Sequence, residues 1–497
     1  MTNSFRPSLW ILALLLVFPV TAKSYAAGGG VLYYNWNAVL DTTTLHQMNP
    51  DGTGDTQVEV KLPNPLDPVW SRDGRLIAIA SLLAPKGSVY YNTFNAFVFN
   101  PTTGVARQIT NWPDTFTSCT DECTEDCTQV YSKAFSSDGA RLAVVSMRSS
   151  VFWQLQDGYW DSKFLTSCPI VEVYDTHGKN AKVVVGGQVV TNGAMHQGDG
   201  LDWVPNKELL ICPWTVTAGL GQATALVAVA PVKGALDAGL FRKLTTPKFL
   251  QYYGNYGVGV CYDQDFQPAV GPVSNRVAYV RERDCVDGGN PVSHSTISVR
   301  MVNLDGTGDR AIYSVPAGKY VSHLNWAPDE SKLVLSCGDQ AVVEGWPIAS
   351  LYDNTVRIAL LNPDGTGFRQ ISGPGDDYPA WNPLGLRILP VPSVASINPA
   401  AVKAGGKSFN LTVNGKGFNG LPATAAGGVS QASKILWNGS ALPTRYVSPT
   451  TLVAAVPAAD IKTPGNVKIS VLNPPPGGGA SNAATLTIGN PAAHPPP

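Results

Sequence analysis

The chain has little charge, and its acidic and basic residues nearly balance. Asp, Glu, Lys and Arg make up 14% of the 497 residues, and the formal net charge is -1. Loss of an N-terminal segment that carries Arg6 and Lys23 would leave 33 basic and 36 acidic residues, a net charge of -3. A broad electrostatic attraction to nucleic acid or to an anionic membrane surface is therefore not expected.

Several catalytic and cofactor motifs are also absent. The sequence has no Gly-x-Ser-x-Gly nucleophile elbow, no Cys-x-x-Cys-His haem motif and no His-Glu-x-x-His zinc motif. Its apolar stretch from Leu9 to Val20 is shorter than the roughly 20 residues that span a bilayer. These absences argue against a serine hydrolase of that type, against a haem or zinc cofactor, and against an integral membrane segment in the mature chain.

The N-terminus has the pattern of a cleavable secretory signal. A basic start precedes the apolar stretch, and small residues follow it at Ala22, Ser24, Ala26 and Ala27. We predict that residues 1–26 form a signal peptide and that the protein is exported to the periplasm, the cell surface or the medium. No cysteine follows the apolar stretch directly, which argues against a lipid-anchored protein.

A repeated unit runs through the chain, and its abundant glycine (49) and proline (39) suit many short strands joined by turns. In each copy an aromatic anchor is followed by a tight turn and, seven residues on, by an apolar strand. Six copies occur, and the fourth has valine in place of the aromatic residue. The anchors are Trp70, Phe135, Trp203, Val270, Trp326 and Trp381.

A second motif recurs between the anchors as a hairpin turn that closes a strand. Two copies read Asn49-Pro-Asp-Gly-Thr-Gly-Asp55 and Asn303-Leu-Asp-Gly-Thr-Gly-Asp309. Their alternating carboxylates suggest a calcium loop, but they lack the closing glutamate of an EF-hand, and their place in the repeat favours hairpin turns. Each unit thus supplies four strands.

Four-stranded sheets of this kind bury both faces when they stack radially around an axis. We therefore predict an all-β fold in which residues 31–391 form a six-bladed β-propeller. The strand from Val31 to Trp36 is expected to complete the sheet that begins near Trp381, so that the two ends of the region pair and close the ring.

These repeats resemble the TolB-type propeller repeat. Its hallmark is an asparagine-aspartate-glycine hairpin followed by a tryptophan-serine-proline-aspartate-glycine turn and an apolar strand. The resemblance covers about residues 31–391 and implies the propeller fold. Such repeats occur in translocation-complex partners, in peptidase gating domains and in many other exported proteins, so the resemblance does not identify a partner.

From Pro392 the composition changes to small and β-branched residues without cysteine. Short alternating strands with frequent turns predict an immunoglobulin-like β-sandwich over residues 392–489 and a disordered proline-rich tail over 490–497. The succession of Asn398-Pro399, Gly405-Gly406, Leu411-Thr-Val413 and Trp437-Asn-Gly439 resembles the IPT/TIG domain. That resemblance implies a spacer or a protein-interaction module at a cell surface.

All eight cysteines lie beyond the predicted signal peptide, and an even count in an exported chain favours disulfides. Cys261 and Cys285 flank one predicted strand and its approach loop, so they are the first candidate pair. The cluster at 119–127 is alternatively a metal-thiolate site, but its spacing matches no zinc ribbon, and an oxidising compartment disfavours free thiols. The disulfide candidates are Cys119, Cys123, Cys127, Cys168, Cys212, Cys261, Cys285 and Cys337.

The strand that carries the anchor is innermost in a propeller blade, so residues just before it should crowd one mouth of the central channel. Converging acids at this mouth would bind a divalent cation or a basic partner segment. Alternatively, each aspartate caps its own turn through backbone amides. The channel-mouth candidates are Asp67, Asp199, Asp263, Asp265, His323, Asp376 and Asp377.

Aromatic residues on inserted loops form a second candidate site. Such side chains stack on sugars, anchor a protein partner or fill gaps between blades. The loop-contact candidates are Trp153, Tyr159, Trp160, Tyr252, Tyr253 and Tyr256.

Together these features predict an exported, non-enzymatic binding or scaffold protein that recognises another envelope or surface protein through its propeller loops. Two alternatives stay open. One is a metal-assisted hydrolase or lyase that works at the acidic channel mouth. The other is a glycan-binding protein that uses the aromatic loops. No catalytic residue is assigned.

Overall fold

The computed structural model describes sixteen stretches of the chain, and its strands are numbered β1 to β38 in chain order. The residues described are 30–37, 42–82, 94–111, 115–116, 122–156, 159–177, 182–185, 200–230, 241–254, 257–287, 290–291, 296–343, 346–349, 355–383, 386–420 and 430–489. The predicted signal peptide and proline-rich tail lie outside these ranges.

The first strands form one complete sheet and the beginning of another. They are β1 (Val31–Asn37), β2 (Thr42–Met48), β3 (Thr56–Gln57), β4 (Pro65–Trp70), β5 (Ile77–Leu82), β6 (Phe94–Asn100) and β7 (Val105–Gln108). Strands β4 to β7 pair in sequence as an antiparallel meander, and β1 to β3 pair in the same way. Alternating apolar residues and tight turns account for both meanders.

The next strands form two further meanders. They are β8 (Thr115–Phe116), β9 (Glu122–Phe135), β10 (Arg141–Gln156), β11 (Tyr159–Asp175), β12 (Lys182–Val185), β13 (Asp202–Trp203), β14 (Leu210–Ala218), β15 (Gly221–Val229) and β16 (Phe241–Lys243). Strands β9 to β12 form one meander, with β8 added beside β9, and β13 to β16 form the other, which a single parallel pair, Thr224 with Gln264, joins to β18.

The last part of the repeat region adds two meanders and a closing strand. These strands are β17 (Phe249–Gly254), β18 (Gly257–Val270), β19 (Arg276–Asp287), β20 (Asn290–Pro291), β21 (Thr296–Asn303), β22 (Arg310–Ser314), β23 (Lys319–Trp326), β24 (Leu333–Val343), β25 (Trp346–Ala349), β26 (Arg357–Leu361), β27 (Arg369–Gln370) and β28 (Asp376–Trp381). The meanders are β18-β19-β21-β22 and β23-β24-β26-β27, while β17, β20 and β25 extend them.

Both ends of the repeat region meet in one sheet. Strand β1 pairs antiparallel with β28, with Val31 opposite Trp381 and Asn35 opposite Asp376. The innermost strands contact each other in the cyclic order β4, β9, β13, β18, β23, β28 and back to β4. Within the described ranges the inner strands thus close into a ring through the pairing of β1 with β28, which confirms the predicted propeller fold.

The anchors of the repeat are buried between neighbouring units. Trp203 is 1% exposed and packs with apolar residues of two successive sheets, among them Val145 and Val227. Trp326 lies in a core cluster that also contains Phe266 of the preceding sheet. The aromatic repeat therefore marks the positions where each sheet buries a face against its neighbour.

The C-terminal strands form a two-sheet sandwich, as predicted. They are β29 (Ser393–Asn398), β30 (Ala401–Lys403), β31 (Phe409–Lys416), β32 (Lys434–Trp437), β33 (Ser440–Ala441), β34 (Thr444–Ser448), β35 (Thr451–Val456), β36 (Gly465–Asn473), β37 (Gly479–Ala480) and β38 (Ala484–Gly489), with a 3-10 helix at Ala458–Ile461. One sheet has the order β29-β31-β35-β34 and the other β30-β38-β36-β32-β33. Leu411, Ile435 and Ile469 are fully buried between them.

A buried polar junction joins the sandwich to the ring. The guanidinium of Arg387 donates to Oδ1 of Asn49 at 2.6 Å and to the carbonyl of Gly54 at 2.8 Å. The backbone of Arg387 exchanges two hydrogen bonds with the side chain of Gln431, at 3.0 and 2.8 Å. Arg387 and Gln431 thereby tie the sandwich to the first hairpin turn of the ring.

Because β1 closes the ring, shortening a buried side chain of β1 should strongly lower the free energy of unfolding. Leu32 is 1% exposed and packs in a cluster with Trp70 and Ile77 of the next sheet. We expect Leu32→Ala to lower the free energy of unfolding by about 2–5 kcal/mol, because a cavity remains where the side chain packed. Urea denaturation measures this, with the exposed Val105→Ala as a control expected to stay within about 0.5 kcal/mol of the parent. Equal midpoints for both variants would contradict the closure argument.

Candidate functional site

The central channel is lined by the residue three positions before each anchor. We call these six residues the channel positions: Asp67, Ser132, Gly200, Gln267, His323 and Tyr378. Five of them have a positive φ between 47° and 57°, and around four of these the strand pairing shifts at a bulge. A bulge re-aims the side chain away from the sheet, which here turns it into the channel.

The channel positions surround a cavity of about 100 Å³. This cavity lies toward the N-terminal ends of the innermost strands, and we call it the mouth of the channel. Its walls also include apolar residues that follow the channel positions, namely Pro68, Leu201, Pro268, Leu324 and Pro379. The mouth is therefore a small polar site with apolar walls, a composition typical of sites that fix the orientation of a bound group.

A buried lysine neutralises Asp67 at the mouth. Nζ of Lys133 lies 2.5 Å from Oδ2 of Asp67, and the lysine side chain has no solvent exposure. Burial lowers the pKa of Lys133, while the carboxylate of Asp67 opposes that shift. A buried charge is tolerated only when it is paired, so Asp67 is held in place by this lysine.

His323 is oriented by the buried carboxylate of Asp377. Oδ1 of Asp377 lies 3.1 Å from Nδ1 of His323 and accepts the backbone N–H of Tyr378 at 2.7 Å. The hydroxyl of Ser336 donates to the same oxygen. The imidazole stacks on the ring of Tyr378, with centroids 3.4 Å apart.

The second ring nitrogen of His323 is unsatisfied. Nε2 is buried and has no hydrogen-bond partner among the described residues, and the side chain is 10% exposed. Nδ1 faces two oxygens, that of Asp377 and the hydroxyl of Ser322 at 3.1 Å, so Nε2 is the ring nitrogen left for a ligand. His323 can therefore form a hydrogen bond with a polar group that enters the cavity.

Asp263 and Asp265, predicted at the mouth, do not line the cavity. Both are 0% exposed on β18 and face arginines of β19. Nε of Arg283 lies 2.7 Å from Asp263, and Nε of Arg281 lies 2.5 Å from Asp265. Burial raises the pKa of Asp265, and its hydrogen bonds to Arg281 oppose the shift. These two acids stabilise the sheet as cross-strand ion pairs.

The other acidic candidates have separate positions. Asp376 does not line the cavity, and its carboxylate accepts from Nδ2 of Asn35 at 2.7 Å. Burial raises the pKa of Asp376 to about 6. Asp199 lies outside the described residues, and Gly200 occupies the channel position of its unit. Among the described residues, no three His, Cys, Asp or Glu side chains are grouped so that they could hold a metal ion.

Sequence reasoning missed most of the residues that line the mouth, among them Lys133, Asp202, Gln267 and Tyr378. Asp202 precedes an anchor and accepts the backbone N–H of Val270 at 2.8 Å, and burial raises its pKa. Counting three residues back from every anchor would have found Gln267 and Tyr378, whereas the search was for acids alone.

One predicted disulfide is present, and two candidate cysteines are free. Cys261 and Cys285 lie opposite each other on β18 and β19 and are bonded, which confirms the first candidate pair. Cys212 and Cys337 are buried free thiols, so the disulfide prediction is wrong for both. Burial raises the pKa of Cys212 to about 12 and that of Cys337 to about 11, which makes both thiols unreactive. Cys119 and the side chains of Cys123, Cys127 and Cys168 lie outside the described residues.

A hairpin formed by β17 and β18 carries exposed apolar residues. Tyr253 is 94% exposed and lies opposite Val258, which is 57% exposed. Tyr252 differs, because its ring covers Gly259 and its hydroxyl donates to the carbonyl of Val286 at 3.3 Å. Trp153, Tyr159 and Trp160 lie on β10 and β11, but their side chains are not described, and Tyr256 is outside the described residues.

The hairpin stands on the face where the mouth opens. Strand β18 runs from the tip of the hairpin, at Gly257, to the channel lining at Gln267. The disulfide of Cys261 links β18 to β19 between these two points. Strand β18 thus carries both an exposed apolar residue of the hairpin, Val258, and a residue that lines the polar mouth, Gln267.

Comparison with known proteins bears on both parts of the chain. Residues 392–488 match the IPT/TIG domain family. This confirms the resemblance drawn for the C-terminal sandwich. No curated protein matches the chain. Within the described ranges, no helix has the length and apolar character needed to cross a membrane.

Three solved structures are among those similar to this chain. TolB from Acinetobacter baumannii is 16% identical, with 71% of this chain and 66% of that chain covered and a TM-score of 0.41. An oligogalacturonate lyase from Vibrio parahaemolyticus is 12% identical, with coverage of 71% and 84% and a TM-score of 0.35. The β-propeller domain of the Trilobed protease from Pyrococcus furiosus is 10% identical, with coverage of 71% and 98% and a TM-score of 0.33.

Burial of Asp376 predicts a pH-dependent stability. Its pKa in the folded protein is raised to about 6, so its protonated form favours folding, and that contribution is lost as the pH rises from about 4 through 6. We expect the stability of Asp376→Asn relative to the parent to increase by about 1–3 kcal/mol between pH 4 and pH 7.

Urea denaturation at several pH values measures this difference. Asp305→Asn is the control, because hydrogen bonds from Thr307 lower the pKa of Asp305, so the contribution of this carboxylate is lost only as the pH falls below about 4 and its relative stability should stay nearly constant between pH 4 and pH 7. A relative stability of Asp376→Asn that does not vary with pH would refute the assignment.

Proposed function

We propose that the protein is an exported, non-enzymatic binding protein, and that a partner protein of the cell envelope or surface docks on the face with the channel mouth. The observation that supports this best is the exposed pair of Tyr253 and Val258 on the β17-β18 hairpin. Large apolar side chains exposed on a rigid support are characteristic of protein-interaction sites.

The neighbouring turn adds a further apolar residue to this face. Leu220, between β14 and β15, is 85% exposed, and the adjacent Gly221 lies against the ring of Phe249 at the base of the hairpin. Leu250 on the hairpin is 48% exposed. A partner that covered these side chains would remove apolar surface from water without ordering a flexible loop, because the disulfide and strand pairing already fix the hairpin.

The mouth supplies a polar contact beside this apolar surface. Nε2 of His323 is an oriented ring nitrogen without a partner in the described structure, and the cavity around it admits only a small group. A polar group of the docked partner would satisfy this nitrogen with a hydrogen bond. The apolar hairpin then contributes affinity, and the mouth contributes specificity.

Removing the apolar pair tests the docking face. We expect the double variant Tyr253→Ser, Val258→Thr to reduce in-cell crosslinking to the envelope partner by at least about tenfold, because exposed aromatic anchors dominate such interfaces. Val273→Ser is the matched control, since Val273 is 81% exposed in the anchor turn at the far end of β18. Crosslinking that falls equally in both, or in neither, would overturn the proposal. Polysaccharide binding that is lost in the double variant, without any protein partner, would favour glycan recognition instead.

Two substitutions at His323 separate its two nitrogens. The amide of His323→Asn can still donate to Asp377, but this variant has no group at the position of Nε2. The longer His323→Gln places a polar group at the position of Nε2. Glutamine is also compatible with a channel position, because Gln267 occupies one. We expect His323→Asn to weaken partner binding by about 3- to 10-fold and His323→Gln to retain most of it. Titration of the purified partner measures both, and equal affinities for parent, Asn and Gln variants would exclude a role for the mouth.

A further inference from the structure

A second groove lies on the face opposite the mouth, between the unit of β13 to β16 and the unit that begins with β18. It measures about 450 Å³, within the size range of small-molecule sites. Basic and amide side chains line it. They are Lys207 from an anchor turn, Arg242 from β16, Asn275 and Arg276 before and at the start of β19, and Asn303.

Two of the cations in this groove are not neutralised by an ion pair. Lys207 has no acidic partner among the described residues, and the neighbouring Glu208 is paired with Arg141 at 2.5 Å. Arg242 donates to the carbonyl of Leu304, which orients its guanidinium and leaves other N–H groups available. A planar guanidinium of this kind suits two-point binding of an oxyanion.

The remaining charges of the groove are used within the fold. Arg276 is paired with Glu330 at 3.0 Å. Oδ1 of Asp305 accepts the backbone N–H of Thr307 at 2.9 Å and its hydroxyl at 2.7 Å. Asp305 thus closes its own turn, although it also lies near Arg242. With Arg276 and Glu330 neutralising each other, Lys207 supplies a positive charge in excess.

The lysine is not required by the turn in which it lies. Lys207 is four residues after its anchor, and none of the other five units has a cation at this position. Their residues are Gly74, Gly139, Ser274, Glu330 and Gly385. Arg242 differs from Lys207 in this respect, because two other units also have an arginine in the outer strand, at Arg107 and Arg369. Lys207 therefore distinguishes this groove from the equivalent places around the ring.

We propose that this groove binds a small molecule that carries an oxyanion, a phosphate or a carboxylate group, through Lys207 and Arg242. The amide of Asn275 lies at the same lining and provides a neutral donor for a further oxygen. This site is independent of the partner-docking face, because it opens at the other end of the inner strands.

Isothermal titration of the full chain with inorganic phosphate, glucuronate and neutral glucose tests the proposal. We expect at least one of the two anions to bind, glucose not to bind, and the double variant Lys207→Gln, Arg242→Gln to weaken anion binding by at least about tenfold. The phosphate and glucuronate arms identify which oxyanion the groove prefers.

Arg369→Gln is the matched control, because it removes the corresponding outer-strand arginine from another unit. Binding by Arg369→Gln should equal that of the parent, and thermal unfolding should be the same for all variants. The proposal is overturned if neither anion binds at concentrations up to about 10 mM, or if the double variant and Arg369→Gln lose binding equally. Intact partner crosslinking in the double variant would separate this site from the docking face.

Discussion

Pairing of β1 with β28 is the contact on which the ring depends. Each four-stranded unit buries its apolar faces against two neighbours, and a ring without this contact would leave the last sheet with a single strand. Val31 and Trp381 are distant in sequence, so the pairing forms against a substantial loop-closure entropy. The burial of Leu32, Tyr33 and their neighbours offsets that entropy, because each packs against the adjoining units.

Closure also explains the chemistry of the channel. Inner strands that converge on one axis place polar side chains in a narrow space with little water, where unpaired charges are costly. Asp67 with Lys133 and Asp265 with Arg281 meet this requirement within the fold. Nε2 of His323 does not, and its position in the cavity makes it the group through which the mouth can recognise a ligand.

The two faces of the ring differ for a related reason. On the mouth side β18 extends beyond the ring, and its disulfide to β19 supports the exposed Tyr253 and Val258. On the other side the anchor turns are short, and the repeat places a lysine or arginine beside the next hairpin turn in some units only. One architecture therefore presents an apolar docking surface at one end and a basic groove at the other.

The regular spacing of the anchors made the ring predictable, because burial of one aromatic residue per sheet imposes a period that is visible in the sequence. Candidate site residues were harder to predict. Asp263 and Asp265 satisfied the search for acids before an anchor, but their arginine partners lie 20 and 16 residues further along the chain. Their neutralisation follows from the register of β18 and β19, and register is not visible in residue type alone.

By itself, the sequence determined the all-β class, the six repeated units, the closing strand, the C-terminal sandwich and the pair of Cys261 with Cys285, since periodicity and local spacing encode them. Only the tertiary structure decided which polar groups remain available for binding. Whether Lys133 or His323 has a partner depends on side chains from other sheets, brought together by a closure that acts over the whole ring.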